Sequence, residues 1–535
     1  MIKNIVIVGG GFTGWYTAAS IKHNSPSINI TVIDTDKVAR LGVGETLGWS
    51  SCYDFLRHLG LENDRMFMYR IGAIYKYGFN THDFWKDHKT FNYGKFFNIK
   101  ISSLTKFYGD FTYNDYWEVH NSEDTNSYGA QQTWFELNKN SNQDLNDFND
   151  ALGDGHYFGS NPYAPYNEKN EYILRNNEGW SYHIDAEQAV SYIKELAISR
   201  GVQHKNLVVK DVNIDNNGIQ SLILENNDII SSDLYIDASG FNRVLLKNNP
   251  SWTDAGTEYC NSALVAGSRY KNPEEEMHGG TDVYGEDNGW RFKVGLYHRL
   301  GNGYVFNDNL VNEDVVNQQL LSKELHNLKN PRLIKWTPGE YTQPWYKNLI
   351  GFGIGVSFID PFDAPTFDVH NRSLEDLIVL LKSNNISESR NEYNQKNEII
   401  RYERYLRLLF NFGLSKRRGE FWDSRRQMII DKNLIPELQA IINGESIIDK
   451  RYKHFYRNMY YRMILVSGTD KTLFKPINIS STDREIANAF FKFNKARQHY
   501  IKQQKWPNYY QWLKKHRFNN ESSDEVYERI VGESV

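Results

Sequence analysis

The sequence predicts an α/β protein in which a Rossmann-like unit opens the chain, a sheet-rich region follows, and a helical segment closes it. Three observations lead there. A β-branched run, Asn4-Ile5-Val6-Ile7-Val8, passes into Gly9-Gly10-Gly11-Phe12-Thr13-Gly14 and then into a helix-like stretch holding Ala18, Ala19 and Ile21. A second strand pattern, Asn29-Ile30-Thr31-Val32-Ile33, ends on the acid Asp34. From Ser373 to the C terminus, helical periods dominate.

The first two observations carry chemistry. A pyrophosphate needs close approach to backbone N–H groups at a helix N-terminus. Gly9 permits the turn, Gly11 removes an obstructing Cβ, and Gly14 lets the helix lie near the strand, with Phe12 and Thr13 in the cofactor-side first turn. Asp34, about 20 residues beyond the glycines, is placed to hold ribose hydroxyls. Strand, glycines, helix, strand and acid in register predict a dinucleotide site, of a kind that NAD and FAD share. Leu41-Gly42-Val43-Gly44-Glu45-Thr46 adds a second glycine-spaced loop directly after the second strand, where backbone can approach an extended cofactor.

Further elements follow in chain order. Residues 85 to about 170 are rich in Asn, Asp, Tyr and Gly and read as a long irregular insertion. Asp185-Ala186-Glu187-Gln188 is a capping-box start to a helix that carries Ala189, Ile193 and Leu196 on one face and ends at Gly201. Strands are expected at Leu207 to Val212, at Ser221 to Glu225 after an Asn217-Gly218 turn, and at Leu234 to Ile236. Asp237-Ala238-Ser239-Gly240 then either supports a ribose or closes the sheet. Gly351-Phe352-Gly353-Ile354-Gly355 spaces glycines two apart before an acid turn, as where backbone meets a planar ligand. Ser373-Leu374-Glu375-Asp376 opens the helical segment. The expected division is 1–372, holding the insertion and a substrate-facing sheet segment at about 250–345, and 373–535 as a helical cap. Aromatics and bases interleave from Phe490 to Arg517, a pattern read as an amphipathic helix with a solvated basic face rather than a nucleic-acid stacking surface.

Composition narrows the function classes. Lys and Arg total 62 against 66 Asp and Glu in 535 residues, so no basic field exists for gripping nucleic acid. The longest nearly uninterrupted apolar run, Leu349 to Ile359, is short of the roughly 20 residues that a membrane helix needs. Met1-Ile2-Lys3-Asn4 leads straight into a strand without the apolar stretch of a secretory signal, so a cytoplasmic location is expected. Cys52 and Cys260 are the only cysteines, too few for a thiolate metal site, so redox chemistry must use a cofactor. No HExxH, paired CxxC or nucleophile elbow occurs, which leaves metal and acyl-transfer chemistry without support. The 35 Tyr, 29 Phe and 13 Trp suit pockets for flat ligands.

With both glycine loops in view, the sequence resembles the flavin-dependent halogenases of the tryptophan-halogenase type. The resemblance runs in patches from residue 1 to about residue 425. Ala73-Ile74-Tyr75-Lys76-Tyr77-Gly78-Phe79 is similar to the family strand bearing a catalytic lysine, with Lys76 on the face of Ile74 and Gly78. Trp180-Ser181-Tyr182-His183-Ile184-Asp185 and Asp233-Leu234-Tyr235-Ile236-Asp237-Ala238-Ser239-Gly240-Phe241 match further family segments. Phe358-Ile359-Asp360-Pro361-Phe362-Asp363 resembles the acid turn near the flavin, and Arg418-Gly419-Glu420-Phe421-Trp422 resembles a later family segment. Three departures mark a divergent branch. Trp290-Arg291-Phe292-Lys293-Val294-Gly295 keeps only the first aromatic of the family's tryptophan motif, Asp363 replaces the family glutamate, and Ala364-Pro365-Thr366 replaces its serine-threonine pair.

The resemblance implies an FAD-binding Rossmann-like domain with an inserted sheet-rich substrate region and a helical C-terminal cap. It implies that reduced FAD reacts with O2 to a C4a-hydroperoxide, that a halide ion attacks its distal oxygen, and that Lys76 passes the hypohalous acid to an aromatic ring, either as a hydrogen-bonding ammonium or as an N-haloamine. Asp363 becomes the carboxylate that polarises the hypohalous acid or takes the ring proton. Gly9, Gly11, Phe12, Thr13, Gly14, Asp34, Gly42, Val43, Gly44, Glu45, Gly353, Asp360 and Thr366 become the cofactor-side residues. Trp290, Phe292 and Pro361 line the passage or the substrate. The expected partners are a small aromatic of indole, phenol or pyrrole type and a separate NAD(P)H flavin reductase, since only one GxGxxG unit is present, with no nucleic acid and no membrane. Two other readings stay open: an aromatic-hydroxylating flavin monooxygenase, and a flavoprotein that has lost catalysis.

Overall fold

A computed structural model describes residues 2–36, 44–48, 51–93, 130–153, 155–174, 180–324, 329–383, 385–431, 463–468 and 478–532. Gly42 and Val43 lie outside the described residues. At its centre is a six-stranded sheet in the order Trp345–Tyr346, Leu349–Gly351, Leu234–Asp237, Asn4–Val8, Asn29–Asp34, Gln203–Asn206. Its neighbours are parallel except at the Trp345–Tyr346 edge. Strand alternation sends the two sets of side chains to opposite faces. Ile5, Ile7 and Val32 bury against Ala18, Ala19 and Ile21 of the helix Phe12–Asn24 and against Ala189 and Ile193 of the helix Ala186–Ser199. Val6, Val8 and Ile33 bury on the other face, with Leu222 and Leu224 of an antiparallel three-stranded layer. Doubly wound parallel order of this kind opens a crevice at the carboxyl ends of its strands, where the glycine turn lies.

The strand expected at Leu207 to Val212 is two strands. Gln203–Asn206 completes the parallel sheet and Val209–Asp215 belongs to the antiparallel layer. Leu207 and Val208 change sheets, the Leu207 N–H donating to the Asp34 carbonyl. Asp185 caps the next helix as expected, its carboxylate accepting from the backbone N–H groups of Glu187 and Gln188. Asp237 closes the sheet: one carboxylate oxygen takes the Ser239 N–H and hydroxyl, and the other takes the Leu245 and Leu246 N–H groups at 2.7 Å each.

The sheet-rich region is a seven-stranded sheet in the order Lys329–Lys335, Ser262–Ser268, Leu300–Phe306, Gly289–Gly295, Gly280–Glu286, Gly78–His82, Thr90–Tyr93. Its last two strands come from the first hundred residues, so the strand expected over Ala73–Phe79 is interrupted. Ile74–Lys76 pairs with Ser181–Ile184, whereas Gly78–His82 pairs parallel with Gly280–Glu286. The break falls at Tyr77, where the N–H groups of Tyr77 and Gly78 both donate to the Gly279 carbonyl at 2.6 and 3.1 Å.

Two further expectations are corrected. Within the insertion read as irregular, the described part holds helices at Ala130–Asn138, Leu145–Leu152 and His156–Ser160. Asp144 and Asp147 form a capping box there, and Trp134, Phe148 and Leu152 are buried; the many asparagines masked this apolar spacing. The helix expected from Ser373 begins at Pro365 and runs to Leu380, so a boundary at 372/373 falls inside it. Proline at the first helical position sets the start. The Ser373 hydroxyl instead bonds the Asn397 side chain at 2.7 Å, tying this helix to Ile386–Gly413. Helices Glu420–Asp431, Ser481–Gln503, Tyr509–His516 and Ser523–Val531 follow. On Ser481–Gln503, Ala487, Phe490 and Phe491 are buried while Lys492 faces solvent. Among the described residues, no helix is long and apolar enough to cross a membrane.

Candidate active site

The glycine turn sits where Asn4–Val8 hands over to Phe12–Asn24. Gly9 takes φ +116°, and a Cβ there would lie 2.4 Å from the Ala238 carbonyl oxygen. A Cβ on Gly14 would meet the Gly9 carbonyl oxygen at 1.8 Å, so helix and strand touch backbone to backbone. Gly11 differs: nothing lies within 4 Å of where its Cβ would be. It is the N-cap of the helix and offers no side-chain cap to the first-turn N–H groups. Asp34 packs on this turn, and a Cβ on Gly10 would strike its carboxylate. The Asp34 carboxylate also pairs with His204 of the Gln203–Asn206 strand. An anion cradle at a helix N-terminus with a carboxylate beside it fits a dinucleotide such as FAD.

Gly353 and Thr366, expected on the cofactor side, meet the same end of the sheet. Gly353, at φ +70°, lies on Thr13, where a Cβ would sit 2.7 Å from the Thr13 hydroxyl oxygen. Phe12 packs on Phe367, 5.6 Å between ring centroids, which brings in the first turn of Pro365–Leu380 and with it Thr366. Gly44 lies beside Leu296 at φ +84°. Glu45 is exposed, and the next residue, Thr46, bonds the Thr281 hydroxyl at 3.1 Å.

Lys76 ends the Ile74–Lys76 strand and is 4% exposed. Its ammonium donates to the Leu47 carbonyl at 3.4 Å and lies 5.6 Å from the Phe79 ring centroid. Burial, followed by the charge of Arg407, lowers its pKa to about 7. His183, on the neighbouring strand, is buried and held neutral; burial and then Lys76 push its pKa down, and its ring meets the Gly295 carbonyl and the Thr281 hydroxyl.

Asp363 sits in the acid turn at φ +65°, followed by Ala364 at φ +45°, two adjacent non-glycine residues in the left-handed region. Such backbone persists only where surrounding contacts enforce it. Arg407 supplies one, as an ion pair with the Asp363 carboxylate. Asp363 lines a small cavity with Asp360, Ser357 and the Arg401, Arg404 and Arg407 side chains of one helix. Asp360 is turned inward: one oxygen accepts from Trp290 Nε1 at 3.2 Å and from the Phe362 N–H at 3.0 Å. Burial raises its pKa to about 6, against a lowering by Arg425 and these hydrogen bonds. Trp290 is buried edge-on to Phe362 at 5.3 Å, and Phe292 lies 6.0 Å from Trp290. Pro361, between Asp360 and Phe362, is half-buried. Phe362 reaches the Phe79 ring at 6.5 Å, which joins the acid turn to the lysine side.

The structure therefore gathers Lys76, Asp363 and Trp290 around Phe79, Phe362 and Arg407, and gathers Gly9, Gly11, Gly14, Gly353, Asp34 and Thr366 at the sheet end. Sequence reasoning missed Arg407 and His204. The spacing Arg401, Arg404, Arg407 places three guanidinium groups on one helix face and was a usable signal for the first; nothing in the sequence marked His204.

The sequence matches the tryptophan halogenase family over residues 4–477. It is 21% identical over 388 residues to the 7-chloro-L-tryptophan 6-halogenase KtzR of Kutzneria sp. (strain 744), covering 70% of this chain and 72% of that one. Against the tryptophan 7-halogenase RebH of Lentzea aerocolonigenes it is 23% identical over 397 residues, covering 68% and 67%. Its fold superposes on a tryptophan halogenase from Shewanella frigidimarina NCIMB 400 with TM-score 0.79 at 20% identity, covering 98% of this chain and 99% of the other. It superposes on BrvH, a flavin-dependent halogenase from Brevundimonas sp. BAL3, with TM-score 0.75 at 20% identity, covering 96% and 99%. The chain belongs to the tryptophan halogenase family and is, with that family, a flavin-dependent halogenase, divergent at about one residue in five identical.

Proposed function

We propose that this enzyme attaches halogen to an electron-rich aromatic small molecule of indole, phenol or pyrrole type, with Lys76 as the residue that delivers it. The supporting observation is a buried lysine whose pKa is lowered to about 7, beside an aromatic cluster that runs to the acid turn. Reduced FAD, with O2 and a halide ion, supplies the halogen as hypohalous acid. The open cradle at Gly11 and the first turn at Phe12 and Thr13 would hold the pyrophosphate, and Asp34 the ribose.

At neutral pH the lowered pKa makes the free amine of Lys76 available in quantity, which an exposed lysine with a pKa of about 10.4 does not do. The nitrogen lone pair takes the halogen from hypohalous acid, the halogen–oxygen bond breaks toward oxygen, and the released proton leaves with it as water. The aromatic ring then takes the halogen from nitrogen, and the electron pair of that bond stays on nitrogen and takes up a proton, which restores the Lys76 amine and is balanced by the proton that the ring gives up. The ring proton passes to Asp363, which Arg407 holds in place. The buried aromatic wall of Phe79, Phe362 and Trp290 keeps water from this path. Among the described residues one glycine turn serves one parallel sheet, and the reading accordingly takes reduced FAD from a separate NAD(P)H flavin reductase.

The experiment is mass spectrometry of products from the protein supplied with FAD, a flavin reductase, NADH, air and each halide, against a panel of indoles, phenols and pyrroles. Halogenated product that is absent in Lys76→Ala supports the reading. Hydroxylated product that persists in Lys76→Ala overturns it in favour of a monooxygenase.

A further inference from the structure

The strand that carries Lys76 has a second side. Tyr75 and Tyr77 point away from the lysine into a cavity of about 420 Å³, whose walls also include Tyr166, Tyr172, Trp180 and Arg517. None of these residues takes part in the halogenation path described above. The volume falls in the range of small-ligand sites, roughly 300–1,000 Å³.

Besides its aromatic side chains the wall carries Arg57, Glu62, Asn63, Asp64 and Arg517, and two of these are arranged around one phenol. Tyr75 donates its hydroxyl to Asp64 at 2.8 Å and accepts from Arg517 Nε at 2.9 Å, so one phenol separates a carboxylate from a guanidinium. A second tyrosine, Tyr182, donates to the same Asp64 oxygen at 2.8 Å. Arg517 spends Nη1 on the His516 carbonyl at 3.1 Å, and its Nη2 makes no hydrogen bond among the described residues. Arg57, at the rim, is already paired with Asp54 and Glu375.

We propose that this cavity is a second binding site, for a small planar aromatic carboxylate. The tyrosines and Trp180 supply faces and edges for one or two fused rings. The free edge of Arg517 supplies a charge-assisted donor for a carboxylate. Asp64, with its charge engaged by two tyrosines, disfavours a second anionic group and so limits the ligand to a monoanion. The site stands apart from the halogenation reading, since its binding needs neither halide nor reductant.

The test is calorimetric titration of the full-length, FAD-loaded protein with indole-3-acetate, and with 3-methylindole as its neutral counterpart. Indole-3-acetate is expected to bind Lys76→Ala and the parent equally, and to bind Arg517→Gln about tenfold more weakly, the loss of one charge-assisted contact. The neutral probe is expected to bind the parent about tenfold more weakly than the acid for the same reason. Because Arg517 also supports Tyr75, Trp180→Leu is the second variant: it removes one half-buried ring from the cavity wall and should weaken both probes severalfold. Three results overturn the proposal: no binding at millimolar probe, equal affinity for the two probes, or binding that Lys76→Ala abolishes and both pocket variants leave intact. The last would place the probe on the lysine side of the strand.

Discussion

Arg407 forms an ion pair with Asp363 across the acid turn, 44 residues apart in sequence. After burial itself, the same guanidinium is the cause that lowers Lys76 to about pKa 7. One arginine thus acts on both residues assigned to the chemistry. Replacing it with alanine removes a positive charge from the neighbourhood of the ammonium, so the Lys76 pKa rises and less free amine remains at pH 7. Halogenation by Arg407→Ala is expected to fall about tenfold or more at pH 7 and to recover part of the loss at pH 9, a shift of about one unit in the profile. Equal losses at both pH values would show that Arg407 serves only to hold the turn.

Lys76→Ala should lower halogenation by at least about a hundredfold, the scale of a positioned proton- or group-transfer residue. FAD binding should stay within about twofold, because the glycine cradle is formed by other elements. In the parent enzyme the rate should rise with pH through about 7, as the amine form fills. A rate that falls through the same window would assign the work to the ammonium instead. Stability has its own sign. The folded-state pKa of Lys76 lies below its ordinary 10.5, so between about 7 and 10.5 the unfolded chain binds more protons and stability rises with pH. Below about 7 the burial cost is full, and Lys76→Met should gain most there in urea unfolding.

Much of this was legible in the sequence where the physics is local. The run Asn4 to Gly14 dictates strand, turn and helix because Gly9, Gly10 and Gly14 each answer a contact within a few residues or with one neighbouring strand. Asp185 announces its helix by capping chemistry alone. The misses are non-local. Nothing near Tyr77 reveals that Gly279, two hundred residues away, accepts both of its adjoining N–H groups and breaks the strand. Ser373 looks like a cap, but Pro365 had already begun the helix, and the hydroxyl is used by Asn397. Asp237 in sequence allows either a ribose contact or a closed sheet; its four hydrogen bonds to residues 239–246 show the second, a matter of how the following turn folds back. Asp360 reads as a flavin-side acid in sequence, and the hydrogen bond that its carboxylate accepts from Trp290, 70 residues away, is a contact that no local pattern announces.

Gly11 gives a test of the cofactor cradle that separates binding from folding. Its backbone, φ −75° and ψ −175°, is open to any residue, and nothing crowds the position of a Cβ. Gly11→Ala should therefore leave the melting temperature within about 2 °C of the parent, less than the shift that about 1 kcal/mol produces in a domain of moderate size. The added methyl occupies the space that a pyrophosphate needs, so FAD affinity should fall about tenfold or more. Gly14→Ala makes the contrast: its Cβ would meet the Gly9 carbonyl oxygen at 1.8 Å, and the variant should be destabilised before cofactor is considered. Unchanged FAD affinity in Gly11→Ala would move the cradle elsewhere.

Trp290 and Asp360 close the set with a pH-dependent prediction. Burial lifts the Asp360 pKa from its ordinary 3.8 to about 6, while Arg425, the Phe362 N–H and Trp290 Nε1 pull the other way. An acid whose folded pKa is raised binds a proton more readily folded than unfolded, so between about 3.8 and 6 stability falls as pH rises. Trp290→Phe removes one donor to the carboxylate and some ring volume. The lost volume costs the same at every pH. The lost hydrogen bond matters most when the carboxylate is ionised, at about 1 kcal/mol or somewhat more for a charged acceptor. Urea unfolding of Trp290→Phe should therefore show a larger deficit against the parent at pH 7.5 than at pH 5, and the Asp360 titration should move upward. A deficit equal at both pH values would mean that the indole N–H does not sustain the buried charge, and that Trp290 contributes to this turn by packing on Phe362 alone.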